Sequence, residues 1–359
     1  MHQEIITRDV EEIIHNTGLD LLDTLEGKTV LITGPNGLLA GYIVDTIAYL
    51  NDVHLDKPCM VIGLQRQRDS KDDDDRLKHL SDRKDILLVK HDVSKPFIPD
   101  EYTHIDFIVH AAGRSAPSYF VEHPIETIDV NVTALRWLLD LAVEHKVESF
   151  AYYSSGEIYG SPPDDKIPTP ETYSGCTSTT GTRACYTESK RCGEALCMAF
   201  HKERSAPVKI LRPALVYGPG LSLTDGRVMA EFMNSAINGK EITMADEGKS
   251  VRNYCYITDA MVMFWKIILS DKNGEVFNIA SQKEPVSIKE LASRILKICA
   301  GTDDALSIRK EDLEFIKSAP NKVCLDMSKV KEMFGYEAKT TLNEGLGRTI
   351  EWNMRKYNL

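Results

Sequence analysis

The sequence predicts an α/β protein: a doubly wound parallel sheet followed by a smaller α/β C-terminal subdomain. Three observations lead there. Short β-branched or apolar runs recur along the first 220 residues, at 29–33, 60–63, 86–89, 107–109, 150–153 and 208–211. Amphipathic helical patterns fill the gaps, and strands alternating with helices fold as parallel sheets covered on both faces. A glycine turn also sits between the first strand and the first helix of that series, where such sheets bind nucleotides.

Residues 1–26 read as an amphipathic helical extension, with Val10, Ile13 and Ile14 on one face for packing or dimer contact. Thr29–Thr33 is the first strand, and Leu38–Leu50 is an apolar helix. Between them lies Gly34-x-x-Gly37-x-x-Ala40. The glycines let backbone turn tightly against a pyrophosphate, the helix N-terminus offers N–H donors, and a small third residue brings helix and strand together. The second strand ends in Gly63-Leu64-Gln65-Arg66-Gln67-Arg68, without the acid that commonly holds an NAD ribose. Arg66 or Arg68 suits the 2′-phosphate of NADP, whereas Gln65 suits the ribose of NAD. Asp72–Asp75 reads as a solvated loop.

Asp92-Val93 follows the third strand, placed for an adenine ring. His110-Ala111-Ala112-Gly113 follows the fourth, where small residues admit a cofactor. Two long helical patterns, 131–144 and 186–203, flank the fifth strand. Beyond Gly218 the alternation loosens into loop–helix segments at 221–239, 248–270 and 287–300, with a short strand at 276–279. The expected boundaries are 1–26 for the extension, 27–220 for the dinucleotide-binding domain and 221–359 for the substrate-binding subdomain, with elements exchanged between the last two.

Composition narrows the class. The 359 residues carry 54 acidic and 43 basic side chains, a net charge of −11, which argues against a nucleic-acid backbone as partner but leaves small anionic ligands open. No apolar run reaches the ~18 residues of a membrane span. The N-terminal residues lack the pattern of a secretory leader, so a cytoplasmic protein is expected. The eight cysteines form no C-x-x-C pair and no His cluster stands at metal spacing, so buried reduced thiols and no metal are expected.

Tyr186 and Lys190 lie four apart on a helix, hence on one face. An ammonium beside a phenol favours the phenolate, which makes Tyr186 a candidate base. Ser154-Ser155-Gly156-Glu157-Ile158-Tyr159-Gly160 follows the fifth strand, at the carboxyl edge where sites of such sheets gather.

With Arg212-Pro213 and Tyr217-Gly218-Pro219, these motifs make the chain resemble, over about residues 27–355, the extended short-chain dehydrogenases/reductases of the nucleotide-sugar epimerase/dehydratase group. Gly181-Thr182-Arg183-Ala184-Cys185-Tyr186, Asp225-Gly226-Arg227-Val228 and the stretch from Arg252 to Asp259 are most similar to UDP-glucuronate decarboxylases. The resemblance implies a Rossmann sheet, a resident NAD with NADP still open, a nucleotide-diphosphate sugar as substrate with a UDP-sugar favoured, and a homodimer. Cofactor contacts fall at Gly34, Asn36, Gly37, Leu38, Leu39, Gln65, Arg66, Asp92, Val93, Ala111, Ala112, Asn131, Ser154, Tyr186, Lys190 and Pro213.

In that comparison Ser155 hydrogen-bonds the sugar 4-hydroxyl, Tyr186 removes its proton, Lys190 holds the ribose, and Glu157 works near C5 and C6. Arg114, Ser155, Arg227 and Arg252 meet the substrate. Gly156 stands where 4,6-dehydratases carry an aspartic acid, and Leu215 where an asparagine is common. The expected activity is decarboxylation of a UDP-hexuronate through a transient 4-keto sugar. The alternatives are 4-epimerisation, 4,6-dehydration, NADPH-dependent carbonyl reduction, or a non-catalytic dinucleotide sensor.

Overall fold

A computed structural model describes residues 2–66, 76–99, 104–113, 115–302, 304–308 and 319–358. Arg68, Asp72–Asp75 and Arg114 lie outside them.

The central sheet is built from β1 (Thr29–Thr33), β2 (Met60–Gln65), β3 (Ile86–Lys90), β4 (Phe107–His110), β5 (Ser149–Tyr153) and β6 (Val208–Pro213). β7 (Leu215–Tyr217), β8 (Ile242–Met244), β9 (Val251–Arg252) and β10 (Tyr254–Tyr256) form small separate ladders, and β11 (Glu275–Ile279) returns to the main sheet. The strand order is β11-β6-β5-β4-β1-β2-β3, parallel throughout. β1 sits at the point where the order reverses, between β2 and β4, and the crevice of a doubly wound sheet opens there.

Alternate residues of each strand enter different cores, as the two-residue pleat requires. Val30, Ile32, Val61, Val109, Ala151 and Tyr153 face one layer, which includes α1 (Gln3–Thr17), α3 (Leu38–Val53) and α9 (Ile257–Ile268). Leu31, Ile62, Ile108, Phe150, Tyr152 and Ile210 face the other, with α6 (Ala134–His145) and α7 (Ala184–Arg204). α9 is apolar around most of its circumference, and eleven of its twelve residues are buried, so it is a core helix rather than a surface one. It carries the substrate-side segment onto the cofactor sheet.

α1 does not stand apart. Ile6, Val10, Ile13 and Ile14 are buried within the same chain, which decides the expected alternatives in favour of packing. α2 (Leu19–Leu22) follows before β1. α4 (Pro117–Glu122) and α5 (Pro124–Ile128) lead into a single π turn, Asp129–Thr133, that runs on into α6. α8 (Val228–Ile237), α10 (Ile288–Ala300) and the helices Ser328–Phe334 and Leu342–Tyr357 complete the chain. All eight cysteines are free, but Cys176 and Cys192 are exposed, so the expectation of uniformly buried thiols is corrected at those two. Among the described residues no helix is long and apolar enough to cross a membrane, and no cluster of His, Cys, Asp and Glu could hold a metal.

Candidate active site

The glycine turn is shaped by its neighbours. Gly34 has φ +70°, and a Cβ there would stand 2.9 Å from the Cα of Ala112. Only glycine lets the turn after β1 nest against the backbone after β4. Gly37 caps α3, whose first turn holds Leu38 and Leu39 half-buried against the core, and Ala40 is 1% exposed. The Asn36 amide donates to the Gln65 side chain, joining the turn to the tip of β2. Thr33 Oγ1 accepts from the Ala112 N–H at 3.1 Å and meets His110 Nδ1 at 2.8 Å. Burial holds His110 at about 3, so it is neutral.

Not every candidate cofactor residue is free. Arg66 Nη1 donates to Glu126 at 2.5 Å and to the Tyr119 hydroxyl at 3.3 Å, so its charge already has a partner. Asp92 is exposed and accepts from the N–H and hydroxyl of Ser94, which hold its carboxyl below the usual range. The Val93 carbonyl takes the Trp137 indole N–H at 2.8 Å. Ala111 follows the last residue of β4, and Pro213 ends β6, both at the carboxyl edge of the sheet.

The catalytic candidates converge at the carboxyl end of β4 and β5. α7 places Tyr186 and Lys190 on its buried face, 6% and 5% exposed. The Lys190 ammonium donates to the Tyr153 carbonyl at 2.7 Å and lies 6.0 Å from the centre of the Tyr186 ring. Burial lowers Lys190 to about 7, with Glu194 pulling it back up. Burial pushes Tyr186 up to about 12; Glu157 adds to the rise, while the hydrogen bond with Ser155 and the charges of Arg227 and Arg183 oppose it. Phe120 stacks on Tyr186 at 5.0 Å. Ser155 caps the short turn 156–159, its hydroxyl accepting from the Glu157 N–H at 3.1 Å.

The π turn sets Asn131 beneath this group. Its amide donates to Ser189 Oγ at 2.9 Å, and its Oδ1 is buried with no protein partner. That oxygen and the Lys190 Nζ are the atoms nearest to a Cβ placed on Gly113, at 3.6 and 4.0 Å. An orphaned amide oxygen, an ammonium and a bare glycine around one space fit a hydroxyl-bearing ligand. With the Gly34 turn at the other end, the residues present fit a dinucleotide.

Three residues outside the expected set organise the site. Arg183 binds both oxygens of Glu157, at 2.7 and 2.6 Å, and its guanidinium lies over Phe120. Glu194, one turn after Lys190, accepts from Ser154 Oγ at 2.6 Å and is clamped by Arg212 at 2.8 and 2.6 Å. Ser154 and Arg212 are thereby engaged with protein. The i, i+4 step from Lys190 to Glu194 was the available signal; nothing local marked the Arg183–Glu157 pair.

The substrate-side arginines differ. Arg227 forms a two-pronged pair with Asp225. Arg252, on β9, donates to the carbonyls of Val251, Pro320 and Asn321, and among the described residues it forms no ion pair. Burial is the main influence on its guanidinium, and Glu157 and Arg183 are close enough to act on it.

Residues 30–280 match the profile of the NAD dependent epimerase/dehydratase family. The chain belongs to that family. Among curated proteins it is 29% identical over 317 residues to a UDP-glucuronic acid decarboxylase of Arabidopsis thaliana, covering 88% of this chain and 86% of the relative. It is 28% identical over 331 residues to UDP-glucuronic acid decarboxylase 1 of Xenopus tropicalis, covering 92% and 73%. In shape it is similar to a UDP-glucuronic acid 4-epimerase from Bacillus cereus solved with UDP-glucuronic acid and NAD, with a TM-score of 0.78 at 21% identity over 92% of this chain and all of that one.

Proposed function

We propose that the chain decarboxylates a UDP-hexuronate through a transient 4-keto sugar. The observation that carries this reading is Arg252: a half-buried guanidinium whose hydrogen bonds go only to backbone carbonyls, near the closed Arg183–Glu157 pair. A half-buried cation without an ion-pair partner suits an anion, and guanidinium fits a carboxylate or a phosphate. The decarboxylase relatives support the uronate as that substrate.

NAD would be held by the Gly34–Leu39 turn, Gln65, Asn131 and Lys190, and when bound it supplies a hydride acceptor at the sugar C4 and gives the hydride back. Tyr186 takes the 4-hydroxyl proton while Ser155 holds the same oxygen. The hydrogen bond with Ser155 and the charges of Arg227 and Arg183 favour the Tyr186 phenolate. The ketone so formed lies β to the C6 carboxylate and accepts the electron pair as CO2 departs; a proton from water then fills C5, and Tyr186 returns its proton to the C4 oxygen as the hydride comes back. No base need attack C5–H, which agrees with Glu157 having both oxygens bound by Arg183. Dehydration across C5 and C6 needs that base and an acid for the leaving hydroxyl, and Gly156 supplies none. The Arg66–Glu126 pair supports NAD over NADP, because the guanidinium is already compensated.

Epimerisation at C4 is the second reading, favoured by the same locked Glu157, since ketone inversion also needs no base at C5. Incubation with UDP-glucuronate, read by mass spectrometry, separates them. Decarboxylation removes roughly 44 Da, dehydration of a neutral sugar roughly 18 Da, and epimerisation nothing. An unchanged mass with a new sugar configuration would overturn decarboxylation. We further propose that α5 and α7 meet a second copy of the chain; Ile125, Ile128 and Met198 are 76%, 43% and 38% exposed there, and sedimentation equilibrium tests it.

A further inference from the structure

Asp9 of α1 is fully buried, and its carboxylate gathers partners from three distant elements. Its Oδ2 accepts from the Tyr42 hydroxyl at 2.9 Å and from the Tyr256 hydroxyl at 2.8 Å. Its Oδ1 accepts from Arg348 Nη1 at 3.0 Å, and Arg348 also binds Glu12 and Glu344 and lies over the Tyr256 ring. Tyr42 and Tyr256 are themselves 0% and 1% exposed. Burying a carboxylate among such groups is expensive, and well-packed apolar side chains would hold the helix at least as firmly. A polar cluster of this kind does something apolar packing cannot: it fixes direction as well as contact.

The two tyrosines come from the cofactor helix and from the substrate-side segment, and both are buried in the same core. Tyr42 lies in the early part of α3, the helix capped by Gly37 of the dinucleotide turn. Tyr256 ends β10, pairs in register with Tyr217 of β7, and follows Arg252 by four residues. Asp9 therefore ties the cofactor helix to the β10–β7 pair, whose strand β10 directly follows the β9 segment bearing Arg252. Further bonds run the same way: Tyr49 of α3 donates to Glu11 at 2.9 Å, and Thr258 at the start of α9 donates to Glu12 at 3.3 Å. α1 lies outside the residues that match the family profile.

We infer that α1 is a clasp that sets the spacing between the cofactor wall and the nucleotide-sugar wall, with Asp9 as its positioning residue. The inference rests on the nucleotide-sugar reading only for the ligand of the second wall. The test uses full-length, NAD-loaded protein and the variants Asp9→Asn, Tyr42→Phe and Tyr256→Phe, reading NAD release on dilution, UDP affinity by calorimetry, and melting temperature. Fivefold or greater weakening of UDP by Tyr256→Phe and Asp9→Asn, with threefold or faster NAD release from Tyr42→Phe and Asp9→Asn, is the expected result. Lower melting temperatures with UDP affinity and NAD release at wild-type values would reduce α1 to packing and overturn the inference. If Asp9→Asn does not fold, the two phenylalanine variants, which remove one oxygen each, carry the same decision. If wild-type protein does not bind UDP, the nucleotide-sugar reading fails, and NAD release still decides the clasp.

Discussion

Tyr186 and Lys190 share one buried face, and burial acts on them in opposite directions, raising the phenol to about 12 and lowering the ammonium to about 7. Tyr186→Phe keeps the stack on Phe120 and removes only the proton acceptor. Turnover should fall by about 10²–10⁴-fold, the usual worth of a general base, with retained NAD unchanged by absorbance. Lys190→Met gives a prediction of the opposite kind. The folded protein holds Lys190 at about 7 against an ordinary value of 10.5, so the unfolded chain binds more protons between those values and stability rises with pH across that window. Removing the ammonium removes this penalty, in full below pH 7 and not at all above 10.5. The variant should therefore be inactive and, free of cofactor, gain stability over the wild type at pH 6 that it does not show at pH 10. A urea titration at pH 6 and pH 10 checks both the sign and the window. At this scale the sequence was most readable where chemistry and spacing are local. Tyr186 and Lys190 announce each other across one helical turn. Arg66 did not announce Glu126, sixty residues away, and its apparent suitability for a phosphate dissolved once that pair was seen.

The elements repeat that division. The turn from Gly34 to Gly37 was legible because its need for glycine is local, while the closeness of the β4 edge that enforces it is not. Gly34→Ala would meet the Ala112 backbone at 2.9 Å and must also hold φ +70° with a Cβ present, which costs about 1–2 kcal/mol before any clash is counted. Loss of bound NAD and a lower melting temperature are expected together, measured by absorbance of the released cofactor and by calorimetry. The π turn at 129–133 escaped the sequence reading for a different reason: an apolar periodicity fixes which face of a helix is buried, not whether one turn holds an extra residue. Yet that turn aims Asn131 at Ser189 and Gly113. Arg183 and Glu157 are 26 residues apart on separate loops, and only the fold brings them together.

For the whole molecule, the doubly wound parallel sheet was the firmest expectation, because strands alternating with helices leave few architectures. The ladder β10–β7 and the parallel insertion of β11 beside β6 have no such periodic signature. They make the two halves one cooperative body: α9 and β11 come from beyond residue 256 but complete the core over β5 and β6. A fragment of residues 1–220 would bare the edge of β6 and the apolar face that α9 covers, so it should be insoluble or molten, whereas the full chain should unfold in a single transition; limited proteolysis and calorimetry distinguish the two.

The placement of Asp9 has a consequence in time as well. During synthesis it leaves the ribosome 247 residues ahead of Tyr256 and 339 ahead of Arg348. At roughly 5–20 residues per second, that is about 12–50 s before Tyr256 and about 20–70 s before Arg348. Early in that interval, Tyr42 of α3 is the partner the carboxylate has; Tyr256 and α9 follow, and Arg348 comes last. A message truncated before Arg348 would leave Asp9 without its cation.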